Sequence, residues 1–260
     1  MSTKIEELAS FLVHAEETGQ GIEPLTDRYP DLSTGEAYQI QLVNIQKKID
    51  AGQRIVGKKI GLTSLPMQQL LGVNEPDYGH LLDGMVVENG GEIPFGRVMQ
   101  PKVEGEIAFV LKKDLQGPNV TTLDVLKATD FVLPVLEIVD SRVDNWKIKL
   151  PDTVADNASS SFFVLGDRPI PTDKVDLAQL GMILYKNDEI VNTGAGAAAL
   201  GHPANCVAWL ANKMSEFDIS LRAGEVILSG ALSAAVVAEP GDSFRAKLAH
   251  LGEVSVRFTR

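Results

Sequence analysis

Two glutamates in an apolar run are the first residues whose types and spacing could do chemistry. Glu104 and Glu106 lie in the stretch 101–110, PKVEGEIAFV, which otherwise has the composition of a β-strand. Residues i and i+2 of a strand share a face, so the two carboxylates would point the same way and repel each other. A bound hard cation would relieve that repulsion. Taken alone, however, the pair fits a solvated strand face better.

A third carboxylate, Glu137, lies in the run 133–142, LPVLEIVDSR, whose apolar residues predict a strand that is buried on both faces. Buried carboxylates are rare unless they are paired or coordinated. An ion pair with Arg142 is one explanation. Together with Glu104 and Glu106, a shared divalent cation is favoured, and an all-oxygen ligand set suits Mg²⁺ or Mn²⁺. The four histidines lack the spacing of zinc ligands.

A lysine between two glycines is the next candidate, in the stretch 55–63, IVGKKIGLT. Strand alternation places Gly57, Lys59 and Gly61 on one face and Lys58 on the other. The glycines would clear space for a ligand at Lys59, which could stabilise a carboxylate or enolate or move a proton. A surface lysine on an edge strand is the alternative. Because Lys58 lies on the other face, its replacement is expected to be mild.

Two polar stretches could complete such a site. The stretch 72–82, GVNEPDYGHLL, is predicted to be a loop because of its Pro and Gly residues, and loops often carry function. Its Asp77 could be a general base, or a turn residue that satisfies backbone N–H groups. In the stretch 156–161, DNASSS, short side chains such as Asn157 and Ser159 could bind a substrate carboxylate, or could simply form turns.

The elements that must position these residues divide into a helical start and a strand-rich body. Apolar residues at helical spacing and a capping box at Ser33 and Glu36 predict helices within residues 1–53, the last ending near Gly52. From residue 54 to residue 260, short β-rich runs alternate with Gly, Pro, Asn and Asp. The predicted strands are 54–62, 103–111, 132–140, 161–165, 182–186, 226–228, 244–248 and 254–258, and the predicted helices are 122–128 and 203–217. This order predicts an α+β fold in two parts, and it argues against a doubly wound sheet.

Composition excludes several classes of function. The chain of 260 residues carries a net charge of −11 without a basic cluster, which argues against a nucleic-acid partner and against an anionic membrane surface. Its single cysteine, Cys206, cannot form an intrachain disulfide and fits a reducing compartment. The start has no secretory apolar region, and no run reaches the roughly 18 apolar residues of a spanning helix, so the cytoplasm is the expected location. An acidic protein that binds an acidic substrate needs local positive charge from a metal or a lysine.

Taken together, these stretches resemble one family over nearly the whole chain. It is the hydratase/decarboxylase group of the aromatic meta-cleavage pathways, which is related to the C-terminal part of fumarylacetoacetate hydrolase. Many matches in the same order are far more specific than any one of them. The matching stretches are 56–63 (VGKKIGLT), 76–79 (PDYG), 100–106 (QPKVEGE), 137–142 (EIVDSR), 152–159 (DTVADNAS), 194–203 and 240–252.

The resemblance implies a mixed β-roll of the fumarylacetoacetate hydrolase C-terminal type, preceded by an N-terminal helical segment. It implies that Glu104, Glu106 and Glu137 bind a divalent metal and that Lys59 is an active-site lysine. It also implies a homo-oligomer, which can associate with a sister decarboxylase or with a downstream aldolase. The implied substrate is a small 2-oxo or 2-hydroxy-dienoic acid, 2-hydroxypenta-2,4-dienoate, which is hydrated to 4-hydroxy-2-oxopentanoate.

Sister enzymes of this group decarboxylate 2-oxo-3-hexenedioate (4-oxalocrotonate), and that reaction is the first alternative. The hydratases resemble Pro-Asp-Phe/Tyr-Gly at 76–79, whereas decarboxylases tend to have an apolar residue where Asp77 stands. Asp77 and the stretch 100–115 therefore favour hydration. Ser160 and the stretch 233–236 look more like a decarboxylase. A non-catalytic partner subunit is the second alternative, and an intact carboxylate triad with Lys59 argues against it. A carbon–carbon hydrolase would need a base such as a His–Glu pair, for which the sequence offers no convincing candidate.

Overall fold

The computed structural model describes residues 3–64, 68–69, 72–73 and 75–260. The chain begins with three helices, α1 (Thr3–Thr18), α2 (Leu25–Arg28) and α3 (Thr34–Asp50). The predicted capping box is present, because the Ser33 hydroxyl accepts from the Glu36 N–H and the Glu36 carboxylate accepts from the Ser33 N–H. The predicted helical start is therefore confirmed. A boundary between two domains at residue 53 stays a prediction.

Helices of the described residues that interrupt the strand-rich body include α4 (Thr122–Ala128), α5 (Leu150–Ala155) and α6 (Pro203–Ser215). The bounds of α4 are those predicted, and α6 ends two residues earlier than predicted. The short helix α5 was not predicted. It has only six residues, and Pro151 in its first turn interrupts the apolar pattern that would mark a helix in sequence.

The strands that the structure describes form two sheets. They are β1 (Ile55–Gly61), β2 (Asp77–Leu82), β3 (Val86–Val87), β4 (Glu92–Pro94), β5 (Lys102–Leu111), β6 (Thr129–Val139), β7 (Ser160–Leu165), β8 (Gly181–Lys186), β9 (Glu189–Ala195), β10 (Val226–Leu228), β11 (Val236–Val237), β12 (Ser243–Leu248) and β13 (Gly252–Thr259). The larger sheet has the order β2-β1-β10-β5-β6-β7-β3, and β11 pairs with β5. The smaller sheet has the order β4-β13-β12-β8-β9. This mixture of curled sheets with N-terminal helices confirms the α+β class.

The predicted loop at 72–82 is wrong over its second half, which forms β2. Asp77 and Gly79 of β2 pair with Gly61 and Lys59 of β1 in antiparallel register. The glycine that suggested a loop is instead needed for close packing, because a Cβ atom at Gly79 would lie 2.9 Å from the Asn157 side-chain oxygen. Asn74 of the same stretch lies outside the described residues.

Apolar residues cover both faces of the larger sheet. Ile107 and Ile227 belong to the main core, whereas Ala108 and Leu228, the next residue on each strand, belong to a smaller cluster. Successive residues of a strand point to opposite faces, so these two clusters lie on opposite sides of the sheet. Glu104 and Glu106 lie four and two residues before Ala108 on β5, so their side chains point to the same face as Ala108, the side of the smaller cluster. Within the described ranges, no helix is long and apolar enough to cross a membrane.

Candidate metal centre and acid–base site

The pairing of β5 with β6 brings the three predicted metal ligands together. Glu104 lies directly opposite Glu137, and Glu106 lies two residues further along β5, opposite Val135. One carboxylate oxygen from each of the three glutamates lies within 4.8 Å of the others. Like charges at paired positions destabilise a sheet unless another charge compensates them. The arrangement therefore calls for positive charge at the centre of the three carboxylates.

The hydrogen bonds of this cluster leave oxygens available for a cation. Glu106 Oε2 accepts from the Gly230 N–H at 2.8 Å, and Glu137 Oε1 accepts from the Ser160 hydroxyl at 2.7 Å. Glu106 Oε1 and Glu137 Oε2 are buried and have no hydrogen-bond partner among the described residues. A buried carboxylate oxygen without a partner is costly, and a hard divalent cation would satisfy both of them. The donor set thus fits Mg²⁺ or a similar ion. Arg142, the alternative partner of Glu137, instead pairs with Asp156.

Burial and mutual repulsion shift the acid–base properties of the three glutamates. Burial, reinforced by the charge of Glu137, raises the pKa of Glu104 to about 7. Burial and the two neighbouring carboxylates raise the pKa of Glu106 well above its ordinary value. Burial also raises the pKa of Glu137, although the nearby Lys59 opposes it. All three shifts have the sign expected for a site that stabilises added positive charge.

Lys59 is buried beside this cluster. Its Nζ donates to the Ala158 carbonyl at 3.1 Å and lies 3.5 Å from Glu137 Oε2 and 3.6 Å from Asp77 Oδ1. The strand β1 runs between β2 and β10, so the alternative of a surface lysine on an edge strand is wrong. Burial alone would lower the pKa of Lys59. That pKa nevertheless lies above its ordinary value, because the ammonium group is surrounded by carboxylates: Glu137, Asp77, Glu104 and Glu106.

The two glycines that flank Lys59 have different roles. A Cβ atom at Gly61 would lie 2.7 Å from Lys59 Nζ, so Gly61 does clear space beside the ammonium group. A Cβ atom at Gly57 would instead collide with the backbone carbonyl of Val226 on β10. Gly57 therefore permits the parallel pairing of β1 with β10, so the prediction that it clears space for a ligand is wrong, whereas the same prediction for Gly61 stays a prediction.

Lys58 is not the mild position that strand alternation predicted. It does lie on the opposite side of β1, but it is buried and its Nζ donates to both carboxylate oxygens of Glu225 at 2.6 and 2.7 Å. The sequence pattern identified the face correctly but could not show that this face also packs against protein. Removing Lys58 would leave the carboxylate of Glu225, itself mostly buried, without its partner.

Asp77 is the first residue of β2, and its carboxylate is buried next to Lys59. Its Oδ2 accepts from the Thr153 hydroxyl at 2.8 Å, while its Oδ1 has no hydrogen-bond partner in the part of the chain that the structure describes. A turn aspartate would satisfy backbone N–H groups, so the turn explanation does not fit. The free Oδ1 instead faces the ammonium group of Lys59.

The polar stretch before β7 makes contacts within the protein. The Asn157 side chain accepts from the His80 N–H at 2.7 Å and donates to the His80 carbonyl at 2.9 Å. The Ser159 hydroxyl lies 3.4 Å from Asp156 Oδ2. These contacts fit the alternative of a turn, and substrate binding by Asn157 or Ser159 stays a prediction. The residue between them, Ala158, supplies the carbonyl that contacts Lys59.

Backbone conformation explains how Ala158 reaches the site. Asn157, Ala158 and Ser159 all have positive φ, at 52°, 50° and 53°. Three successive residues other than glycine in the left-handed region are strained, and such strain is kept only where surrounding contacts hold it. The two bonds from Asn157 to His80 provide one such constraint and tie this turn to β2.

Sequence reasoning missed four residues that contact the predicted metal ligands or the acid–base residues: Thr153, Ala158, Ser160 and Gly230. Thr153 lies within the resembling stretch 152–159, but its type alone suggested nothing. Ser160 was noted only as a difference between two branches of the family. Gly230 has a φ of +94°, a conformation that favours glycine. In the sequence, its place just after a short apolar strand was the only feature that could have pointed to it.

A family model described as fumarylacetoacetate (FAA) hydrolase C-terminal matches residues 76–259. A 2-keto-4-pentenoate hydratase of Paraburkholderia xenovorans (strain LB400) is 50% identical over 253 residues, covering 97% of this chain and 94% of that protein. A 2-hydroxypent-2,4-dienoate hydratase of Pseudomonas putida is 51% identical over 219 residues, covering 84% of this chain and 99% of that protein.

A solved structure with a similar fold is 4-oxalocrotonate decarboxylase from Pseudomonas putida G7, complexed with magnesium and adipate. It has a TM-score of 0.92 and 40% sequence identity, and the match covers 97% of each chain. The family model spans more than half of the chain, and these relatives span nearly all of it. The chain therefore belongs to the fumarylacetoacetate hydrolase family, within the group that contains the meta-cleavage hydratases and decarboxylases.

Proposed function

We propose that this protein hydrates 2-hydroxypenta-2,4-dienoate to 4-hydroxy-2-oxopentanoate, with Mg²⁺ or Mn²⁺ as cofactor, in the meta-cleavage degradation of aromatic compounds. The observation that carries this proposal is the buried carboxylate of Asp77, whose free Oδ1 lies beside Lys59. Adding water to a carbon requires a group that can take a proton from that water. The names of the two hydratase relatives support the same reaction.

The three glutamates would hold the cation. A divalent cation bound there supplies positive charge that stabilises the enolate form of a 2-oxo acid. Gly230 and Ser160 fix one oxygen each of Glu106 and Glu137 by hydrogen bonds, which leaves the second oxygens for coordination. Fixing ligand orientation in this way is the usual role of outer hydrogen bonds around a metal.

Asp77 would accept the proton from water, and Lys59 would stabilise the negative charge that develops on the substrate. The enol first becomes a ketone as the C2 hydroxyl loses its proton and C5 gains one, which leaves a double bond between C3 and C4. Asp77 then accepts a proton from water while the hydroxide adds at C4 and the electron pair moves to the C2 oxygen. Proton uptake at C3 completes the product. The ammonium of Lys59, which lies 3.6 Å from Asp77 Oδ1, stays charged and stabilises negative charge on the substrate during these steps.

Decarboxylation of 2-oxo-3-hexenedioate is the second candidate, because a decarboxylase shares the fold at a TM-score of 0.92. That substrate carries a second carboxylate at the end remote from the 2-oxo acid. The buried carboxylate of Asp77 would repel it, at a cost that grows where water is excluded. The same group assists hydration, so Asp77 favours the hydratase.

Product analysis tests the proposed function directly. Wild-type protein with Mg²⁺ or Mn²⁺ is expected to convert 2-hydroxypenta-2,4-dienoate to 4-hydroxy-2-oxopentanoate, and to release little CO₂ from 2-oxo-3-hexenedioate. NMR of the products and a CO₂ assay would measure both reactions. Rapid CO₂ release without hydrated product would transfer the assignment to the decarboxylase.

A paired substitution tests the role of Lys59. Lys59→Met is expected to lower turnover about 10²-fold, since a charge that acts on the reacting atoms is lost. Lys58→Met should instead lower the free energy of unfolding by about 3 kcal/mol, because Glu225 loses its buried partner. Steady-state kinetics and urea unfolding of both variants would separate the two effects. Comparable loss of turnover in both variants at matched folding would contradict the assignment of Lys59.

The remaining properties are predictions of the family resemblance. They comprise a homo-oligomeric state and a complex with a sister decarboxylase or a downstream aldolase. The catalytic part is proposed to begin at residue 54.

A further inference from the structure

We infer that Thr153 is a positioning residue for Asp77, an inference that rests on the proposed function of Asp77 as the base. The Thr153 hydroxyl donates to Asp77 Oδ2 at 2.8 Å, and both side chains are buried. This hydrogen bond occupies one carboxylate oxygen and fixes the plane of the group. The other oxygen is thereby held free, 3.6 Å from the Lys59 ammonium.

The helix that carries Thr153 is held on both sides of it. The carboxylate of Asp152 accepts from the Thr26 N–H at 2.9 Å, from the Thr26 hydroxyl at 2.7 Å and from the Lys149 N–H at 2.9 Å. The Val154 carbonyl accepts from Gln41 Nε2 at 2.6 Å. The residues before and after Thr153 are therefore each hydrogen-bonded to the N-terminal segment. These bonds restrain the backbone that carries the Thr153 hydroxyl.

Gln41 also restrains the strand that carries Asp77. Gln41 Nε2 also donates to the carbonyl of Tyr78, the residue after Asp77, at 3.0 Å. Gln41 Oε1 lies 2.8 Å from Nδ1 of His80, and burial lowers the pKa of this histidine to about 3, so its ring is neutral. One side chain, Gln41, thus holds the backbone carbonyls of the residues that follow Thr153 and Asp77. A catalytic group that is held in this way loses little entropy when it reacts.

Without the hydroxyl, the Asp77 carboxylate would be free to turn toward Lys59. An ammonium group that already lies 3.6 Å from Oδ1 would then compete with the reacting water for both oxygens. The expected consequence is a base that is present but misaligned. Such a defect lowers kcat and leaves substrate and metal affinity nearly unchanged.

The test compares Thr153→Val, Thr153→Ser and a matched control, Thr129→Val. Thr129 is equally buried, and its hydroxyl donates to the Val125 carbonyl at 2.8 Å, away from the carboxylate cluster. Thr153→Val is expected to lower kcat about 10- to 100-fold with KM and Mg²⁺ affinity unchanged, the loss typical of one hydrogen bond to a charged group. Thr153→Ser should restore most of kcat, and Thr129→Val should keep wild-type kcat.

A double-mutant cycle shows whether Thr153 acts through Asp77. In an Asp77→Asn background, Thr153→Val should cause no further loss of kcat, because the base that it positions is already gone. An equal further loss in that background would overturn the inference, as would wild-type kcat in Thr153→Val or a failure of Thr153→Ser to recover activity. If Asp77→Asn impairs hydration but Thr153→Val does not, only this inference fails. If Asp77→Asn hydrates at the wild-type rate, the proposed base fails and the inference fails with it.

Discussion

Glu106→Gln is expected to weaken Mg²⁺ binding by at least about 10²-fold and to lower hydration activity on the order of 10³-fold, since a metal ion contributes several kcal/mol to such reactions. Glu106 is fully buried, and its Oε1 is one of the two cluster oxygens without a hydrogen-bond partner within the described segments. Glutamine keeps the shape of the side chain and can still accept from the Gly230 N–H. It removes one of the negative charges that would attract the cation.

The same substitution should not destabilise the metal-free protein, because it relieves repulsion among buried carboxylates. Titration calorimetry with Mg²⁺ and Mn²⁺ would measure affinity, and thermal unfolding would show whether the metal still raises Tm, as a ligand of the native state must. Glu189→Gln, on the exposed strand β9, is the control for the loss of one charge elsewhere. Equal metal affinity in wild type and Glu106→Gln would show that the three glutamates are not the ligands.

Asp77→Asn is expected to reduce hydration by a factor on the order of 10² to 10⁴, the usual range for loss of a general base. Asparagine can still accept a hydrogen bond from Thr153, so the local structure should persist, but it cannot take a proton from water. Metal affinity should remain close to that of wild type, because Asp77 lies outside the proposed ligand set. NMR of the products from both acids would measure the effect.

Two outcomes would change the assignment of Asp77. Undiminished hydration by Asp77→Asn would make it a structural residue and leave the enzyme class intact. A large loss of Mg²⁺ affinity in the same variant would instead place Asp77 among the metal ligands. Removing a negative charge also removes the proposed repulsion of a second substrate carboxylate, so the CO₂ released by this variant is informative as well.

The residue pattern predicted that two carboxylates share a face and that a third is buried, but not the strand pairing that brings them together. Strand alternation placed Glu104 and Glu106 on one face, and the apolar neighbours of Glu137 predicted its burial. Alternation is a local property of the backbone, so it can be predicted from one strand without knowledge of the rest of the fold. The register that sets Glu104 opposite Glu137 is a property of two strands and cannot be deduced from either one.

The predictions that failed depended on contacts between segments distant in sequence. Pro76 and Gly79 suggested a loop, but pairing with β1 makes 77–82 a strand. Lys58 seemed replaceable because the sequence does not show that Glu225, 167 residues later, lies against it. The contacts of Asn157 could not be predicted either, because its partner, the backbone of His80, carries no sequence signal. Polar residues are hard to assign for this reason: their role depends on which group satisfies them.

The contacts of Gln41 also bear on how parts of this protein could be exchanged with relatives. The family model begins at residue 76, yet Gln41 in α3 holds both the strand of Asp77 and the helix of Thr153. In a chimera joined near residue 54, the N-terminal segment of a relative would pack against the strand of Asp77 and the helix of Thr153. Only donors that supply an amide at this position, together with the hydroxyl of Thr26, would keep the carboxylate of Asp77 in place. The interchangeable module is therefore larger than the segment that the family model matches, and recombination between hydratases and decarboxylases should carry the N-terminal helices with the proposed base, Asp77.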